Sequence, residues 1–137
     1  MAYKLKIIIM ENQINELTKT QTLLKFTFGL VPIAAGADKF TNLLTDWSQY
    51  LNPSMVGMLP FSAHTFMMIV GVIEIIAGIL VLVKTNIGAY IVSVWLVLIA
   101  ITLIAGGKFL DVAVRDLVMA IGAYSLGKIT SLTTTNN

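Results

Sequence analysis

Two apolar stretches, about Ser62 to Val83 and Ile87 to about Ala105, follow one another across the short turn Lys84-Thr85-Asn86, and Glu74 is the only charged residue inside them. Each is close to the roughly 20 residues that carry a helix across bilayer hydrocarbon. With 57% hydrophobic and 12% charged residues and a mean hydropathy of +0.87, the 137-residue chain is too apolar for a soluble domain, in which about a quarter of residues are charged. A bilayer is the natural solvent for such a chain.

Two further spans fit the length. The first runs from about Thr22 to Lys39, with Pro32 inside it expected to bend it, and the last from about Phe109 to Lys128 after the Gly106-Gly107 break. The predicted fold is all-α: an integral membrane four-helix bundle over residues 22–129. An N-terminal amphipathic arm (1–21) precedes it and a polar tail (130–137), expected to be disordered, follows. In the first outer loop, Phe40, Leu43, Leu44, Trp47 and Leu51 recur at helical spacing, which predicts an amphipathic helix ended by Pro53, with Trp47 and Tyr50 at headgroup level. In the arm, Ile7, Met10, Ile14 and Leu17 share one stripe. That stripe fits a helix lying on the membrane, a partner contact or a frayed arm.

Topology accounts for the basic residues. With an even number of spans, Lys4, Lys6, Lys19, Lys25, Lys84 and Lys128 fall on one side, against Lys39, Lys108 and Arg115 on the other. The bias places both termini of this multi-pass chain on the cytoplasmic side. The formal charge of +2 is scattered rather than clustered, so nucleic acid is not an expected partner. The apolar run from Ile7 to Met10 is shorter than a signal-peptide core, and no cleavable signal is read there.

The chemistry available is narrow. The chain has no cysteine and one histidine, His64, which excludes thiolate catalysis, zinc-thiolate and iron-sulfur ligation by this chain, and a bis-histidine haem or metal site within it. His64 with Met67 or Met68 superficially suggests haem ligation, but residues three or four apart on a helix project to one side and cannot be opposite axial ligands. No phosphate loop, nucleophile elbow or metal-ligand cluster appears, and no catalytic set is assigned.

Glu74 lies about 18 Å along its helix from Ser62, near mid-membrane. Its face carries Gly71, Ala77 and Gly78, so it is expected to point into the bundle, protonated if unpaired. Either it is a ligand, proton or ion site, or it is a neutral acid hydrogen-bonding two helices. Asp116 shares a stripe with Ala113, Ala120, Ala123 and Gly127 and is likewise expected to face inward. Asp38, Lys39, Arg115 and Asp116 all fall toward the outer ends of their spans, where Asp38 with Arg115 and Lys39 with Asp116 would neutralise one another. The five residues Glu74, Asp38, Lys39, Arg115 and Asp116 thus form either a clamp or a polar ligand pocket. Asp111, in the first turn of the last helix, suits the positive end of the helix dipole.

Three stretches, Gly29 with Ala35-Gly36-Ala37-Asp38-Lys39-Phe40, Gly71-Val72-Ile73-Glu74 with Gly78, and Asp111-Val112-Ala113-Val114-Arg115-Asp116, together resemble the DoxX-like family of small bacterial membrane proteins over about residues 22–129. The resemblance implies a four-helix bundle in the cytoplasmic membrane and, for some family members, association with quinone-linked sulfur oxidation or membrane redox complexes. Two functions are expected from these observations together. One is a non-catalytic subunit or accessory protein, with the bilayer and either membrane-complex subunits or further copies as partners. The other is a binder or carrier of a small hydrophobic molecule, a quinone or a lipid, at Glu74 and the Asp38/Arg115 cluster. No cofactor is expected to be held by this chain's own residues beyond such a molecule.

Overall fold

The computed structural model describes residues 1–134, which are helical with no strand among them. Helix α1 spans Ala2–Asp38, a single turn of 3-10 helix Trp47–Tyr50, and α2 Pro53–Val56. Helix α3 spans Ala63–Val83, α4 Thr85–Gly106 and α5 Leu110–Thr134. Helix α1 packs on α3, α3 on α4, α4 on α5, and α5 returns to α1.

Glycine sets the first of these contacts. Gly36 lies against Gly71 and Gly29 against Gly78, and a Cβ on Gly71 or Gly78 would stand 2.5 Å from the carbonyl oxygen of its partner. No real Cβ tolerates that separation. Both helices repeat glycine at the same interval, so α1 and α3 meet backbone to backbone over two turns in antiparallel sense. Deeper in, Ala77, Val81, Ala89, Val92, Ala123 and Leu126 form the main core, with Leu24, Phe28 and Leu96 packed against it. A second cluster, Ala100, Leu103 and Ala113, closes the other end with Tyr50, Ile99, Phe109 and Val112.

The turns follow local chemistry. Lys84 alone joins α3 to α4, and the Thr85 hydroxyl donates to the Val81 carbonyl at 2.7 Å. Gly107 ends α4 with φ +70°, a left-handed conformation that glycine adopts without a Cβ penalty. Phe109 takes φ +55°, which an L-residue adopts at a cost of roughly 1–2 kcal/mol. Its ring packs edge-on against Tyr50 with centroids 4.6 Å apart. Ser62 caps α3 by accepting the Thr65 amide at 3.2 Å.

Three expectations change. The amphipathic helix over residues 40–52 does not form. The Asp38 carboxylate accepts the amides of Leu43 and Leu44, each at 3.0 Å, and Asn42 turns to φ +53°, so the backbone donors that a helix would use are already bonded. The arm over 1–21 is not a separate element, because α1 runs unbroken from Ala2 to Asp38 and Pro32 does not end it. The tail is helical from Thr130 to Thr134, and its last residues, 135–137, lie outside the described residues.

Helices α3 and α4 are long and apolar enough to cross a membrane. Each presents a row of large apolar residues outward: Ile69, Val72, Ile73, Ile76 and Ile79 on α3, and Ile87, Ile91, Val94, Leu98 and Ile101 on α4, are all exposed. A core helix of a water-soluble protein buries such residues.

The glycine contact yields a direct test. Gly71→Val is expected to destabilise the protein by at least about 1–3 kcal/mol, read as a lowered Tm in detergent. Gly57→Ala, whose Cβ meets nothing within 4 Å, should change stability by less than about 0.5 kcal/mol.

Candidate functional site

Where α1 ends, its last turn delivers two charged residues in different directions. Lys39 turns in toward α3, where its Nζ lies 2.6 Å from Glu74 Oε2, and both side chains are buried, at 4% and 10% exposure. Glycine again makes this possible, since a Cβ on Gly71, one turn before Glu74, would stand 3.1 Å from Lys39 Cβ. Asp38 turns toward the loop. It accepts the Thr41 hydroxyl at 3.0 Å, the two loop amides and the Trp47 indole N–H at 2.8 Å.

Trp47 joins the two halves. Its ring lies under the Lys39 ammonium, 3.8 Å from Nζ to the ring centroid, while its N–H serves Asp38. A desolvated ammonium over an indole face is worth on the order of 2 kcal/mol. On the far side, Trp95 Nε1 from α4 stands 3.5 Å from Glu74 Oε1. The result is a continuous path, Asp38, Trp47, Lys39, Glu74, Trp95, from the loop after α1 into the middle of the packed helices.

Asp116 from α5 is the remaining inward acid. It is 7% exposed, the charges of Arg115, Glu74 and Lys39 reach it, and it accepts no hydrogen bond from another described residue. Arg115, one position earlier on the helix, projects outward and meets Asp111 at 3.5 Å on the exposed surface, where an i,i+4 pair contributes only about 0.3–0.5 kcal/mol.

Of the expected inward faces, both form: Glu74 is buried with Gly71, Ala77 and Gly78, and Asp116 with Ala113, Ala120, Ala123 and Gly127. The expected pairings do not. Lys39 pairs with Glu74 rather than Asp116, and Asp38 bonds the loop rather than Arg115. Successive residues on α5 differ by about 100° in direction, so Arg115 and Asp116 do not share a cavity. With Glu74 paired to Lys39, Asp116 is the inward acid without an ion pair among the described residues.

Spacing places Trp47 at headgroup level, and Trp95 on its apolar helix reads from sequence most simply as a packing or lipid-facing residue. Trp95 was accessible from the tight turn at Lys84. Glu74 and Trp95 lie 10 and 11 residues from Lys84 and so fall at nearly one depth on an antiparallel hairpin. Nothing local announces Trp47, whose place depends on the fold of the 40–52 loop. Among the described residues, no group of three or more His, Asp or Glu side chains is arranged to hold a metal ion.

Compared with protein-family models, curated proteins and solved structures, the chain finds no match.

Removing one member of the buried pair strands the other. Lys39→Met is expected to lower stability by about 3–5 kcal/mol, and the double variant Lys39→Met/Glu74→Leu to recover most of the loss, as measured by thermal unfolding in detergent. Trp47→Phe keeps a ring under Lys39 but removes the donor to Asp38, with an expected loss of about 1.5–3 kcal/mol.

Proposed function

We propose that this chain is a non-catalytic subunit or accessory protein of the bacterial inner membrane, a four-helix bundle whose spans lie in α1, α3, α4 and α5. The DoxX-like resemblance belongs to the same proposal. The outward-facing apolar residues of α3 and α4 support a lipid environment, because water would meet those surfaces unfavourably. Lys25, Lys84 and Lys128 cluster at the end where α1 leaves the packed helices, as cytoplasmic termini require. The ionisable residues support binding to other proteins rather than catalysis: Lys39, Glu74 and Asp38 are bonded to one another or to the loop.

The observation that carries the proposal is the length of α1. Its 37 residues extend about 55 Å, well beyond the roughly 30 Å of hydrocarbon, and residues 1–13 are exposed throughout. Tyr3, Leu5, Ile7, Ile8, Ile9 and Met10 all lie in that exposed part. An exposed apolar surface on a helix that extends beyond the packed body suits a protein-binding site.

A second reading rests on Asp116. A buried acid with no hydrogen bond from another described residue suits a small hydrophobic molecule, a quinone or a lipid, that offers a donor beside the Lys39–Glu74 pair.

Native mass spectrometry of the protein, gently extracted from its own membrane, separates the two. Subunits at fixed stoichiometry are expected. A lone chain retaining a small molecule that Asp116→Asn releases, with Tm unchanged, would instead favour the binder.

A further inference from the structure

The exposed stripe on α1 does not stop where the helix enters the packed body. Tyr3, Ile7, Met10, Ile14 and Leu17 alternate at intervals of four and three residues, and the same count continues through Gln21, Leu24 and Phe28. Leu24 and Phe28 pack on the main core, and Gln21 Nε2 donates to the Thr130 hydroxyl at 3.2 Å. One seven-residue repeat thus serves the chain's own helices below Gln21. Above it the cover thins, from half-buried Ile14 and Leu17 to exposed Met10, Ile7 and Tyr3.

We infer that this seam pairs with the same segment of a second copy as a parallel, in-register coiled coil; the inference rests on the docking proposal and names its partner. Direction follows from topology, since two copies inserted in one membrane with the same orientation project their α1 helices side by side and parallel. Register follows from charge. Lys6 and Glu11 flank the seam five residues apart, the spacing at which a parallel pair sets each Lys6 opposite the partner copy's Glu11, and neither is ion-paired among the described residues. Ile7 and Ile14 occupy one core position of the repeat, and Met10 and Leu17 the other. β-Branched residues at the first with unbranched or γ-branched residues at the second favour two strands.

Three heptads are marginal in solution. Anchorage of both copies in one bilayer replaces a bimolecular encounter in three dimensions by one between aligned neighbours, which raises the effective concentration without any new contact.

The chain lacks cysteine, so single cysteines report the geometry directly. In the full-length protein in native membranes under mild oxidant, Ile7→Cys and Ile14→Cys are expected to give a disulfide-linked dimer. Ile8→Cys and Asn12→Cys, on the outer side of the repeat, should give at least about tenfold less. Lys6→Glu should weaken cross-linking through Ile14→Cys, and adding Glu11→Lys should restore it. Because residues 1–13 are exposed, the variants at Lys6, Ile7, Ile8, Glu11 and Asn12 should leave Tm unchanged. Equal cross-linking at Ile8 and Ile14, or none at Ile7 and Ile14, overturns the inference. In that second case a different subunit co-purifying at fixed stoichiometry leaves the docking proposal standing, whereas a monomer without partners overturns both.

Discussion

Glu74 occupies the middle of an apolar helix, and the arrangement around it depends on Lys39 reaching it from the end of α1. A carboxylate taken out of water alone costs several kcal/mol, and an ammonium costs as much, so each is tolerable there only in contact with the other. The contact demands that α1 and α3 approach until their backbones touch. That in turn demands glycine at positions 36 and 71, where any Cβ collides with the opposing chain. Charge and glycine are therefore one device: the pair determines which depth of α1 faces which depth of α3, and the glycines permit the distance.

The same pair organises its surroundings. Trp47 can lie beneath Lys39 only if the loop after α1 folds back, and Asp38 bends it back by collecting four donors from residues 41 to 47. Trp95 brings α4 to the other side of Glu74. Elsewhere the core is built mostly of alanine, glycine and valine, which offer close packing and little specificity of depth. A polar contact in such surroundings specifies alignment, because sliding one helix past another would separate the charges.

Helix α1 has two environments along one continuous backbone. Its C-terminal half is bound on one face by α3 and α5, and its N-terminal half continues the same repeat into open space. Helical propensity alone is weak over so short a segment, and the proposed second copy would supply the packing that the N-terminal half lacks. Long-range contacts hold one half; association with another molecule is the natural way to hold the other.

Several features were legible from residues alone. The helices could be read from apolar runs and their stops, because Lys84 and Gly107 interrupt them by local backbone chemistry. The inward faces of Glu74 and Asp116 could be read from the small residues three and four positions away, because helical periodicity is a local property. Pairing was not legible. Lys39 had two acids at a plausible depth and Arg115 had two, and only the approach of α1 to α3 at the glycines selects Glu74, while the helical rotation between Arg115 and Asp116 sends the arginine outward. The loop over residues 40–52 had helical periodicity and did not use it, because a carboxylate at its border competed for its amides. By itself the sequence determined the long apolar helices and their inward faces, since periodicity and capping act within a few residues; only the tertiary structure decided which charges meet, since a difference of one residue in helix alignment changes every partner.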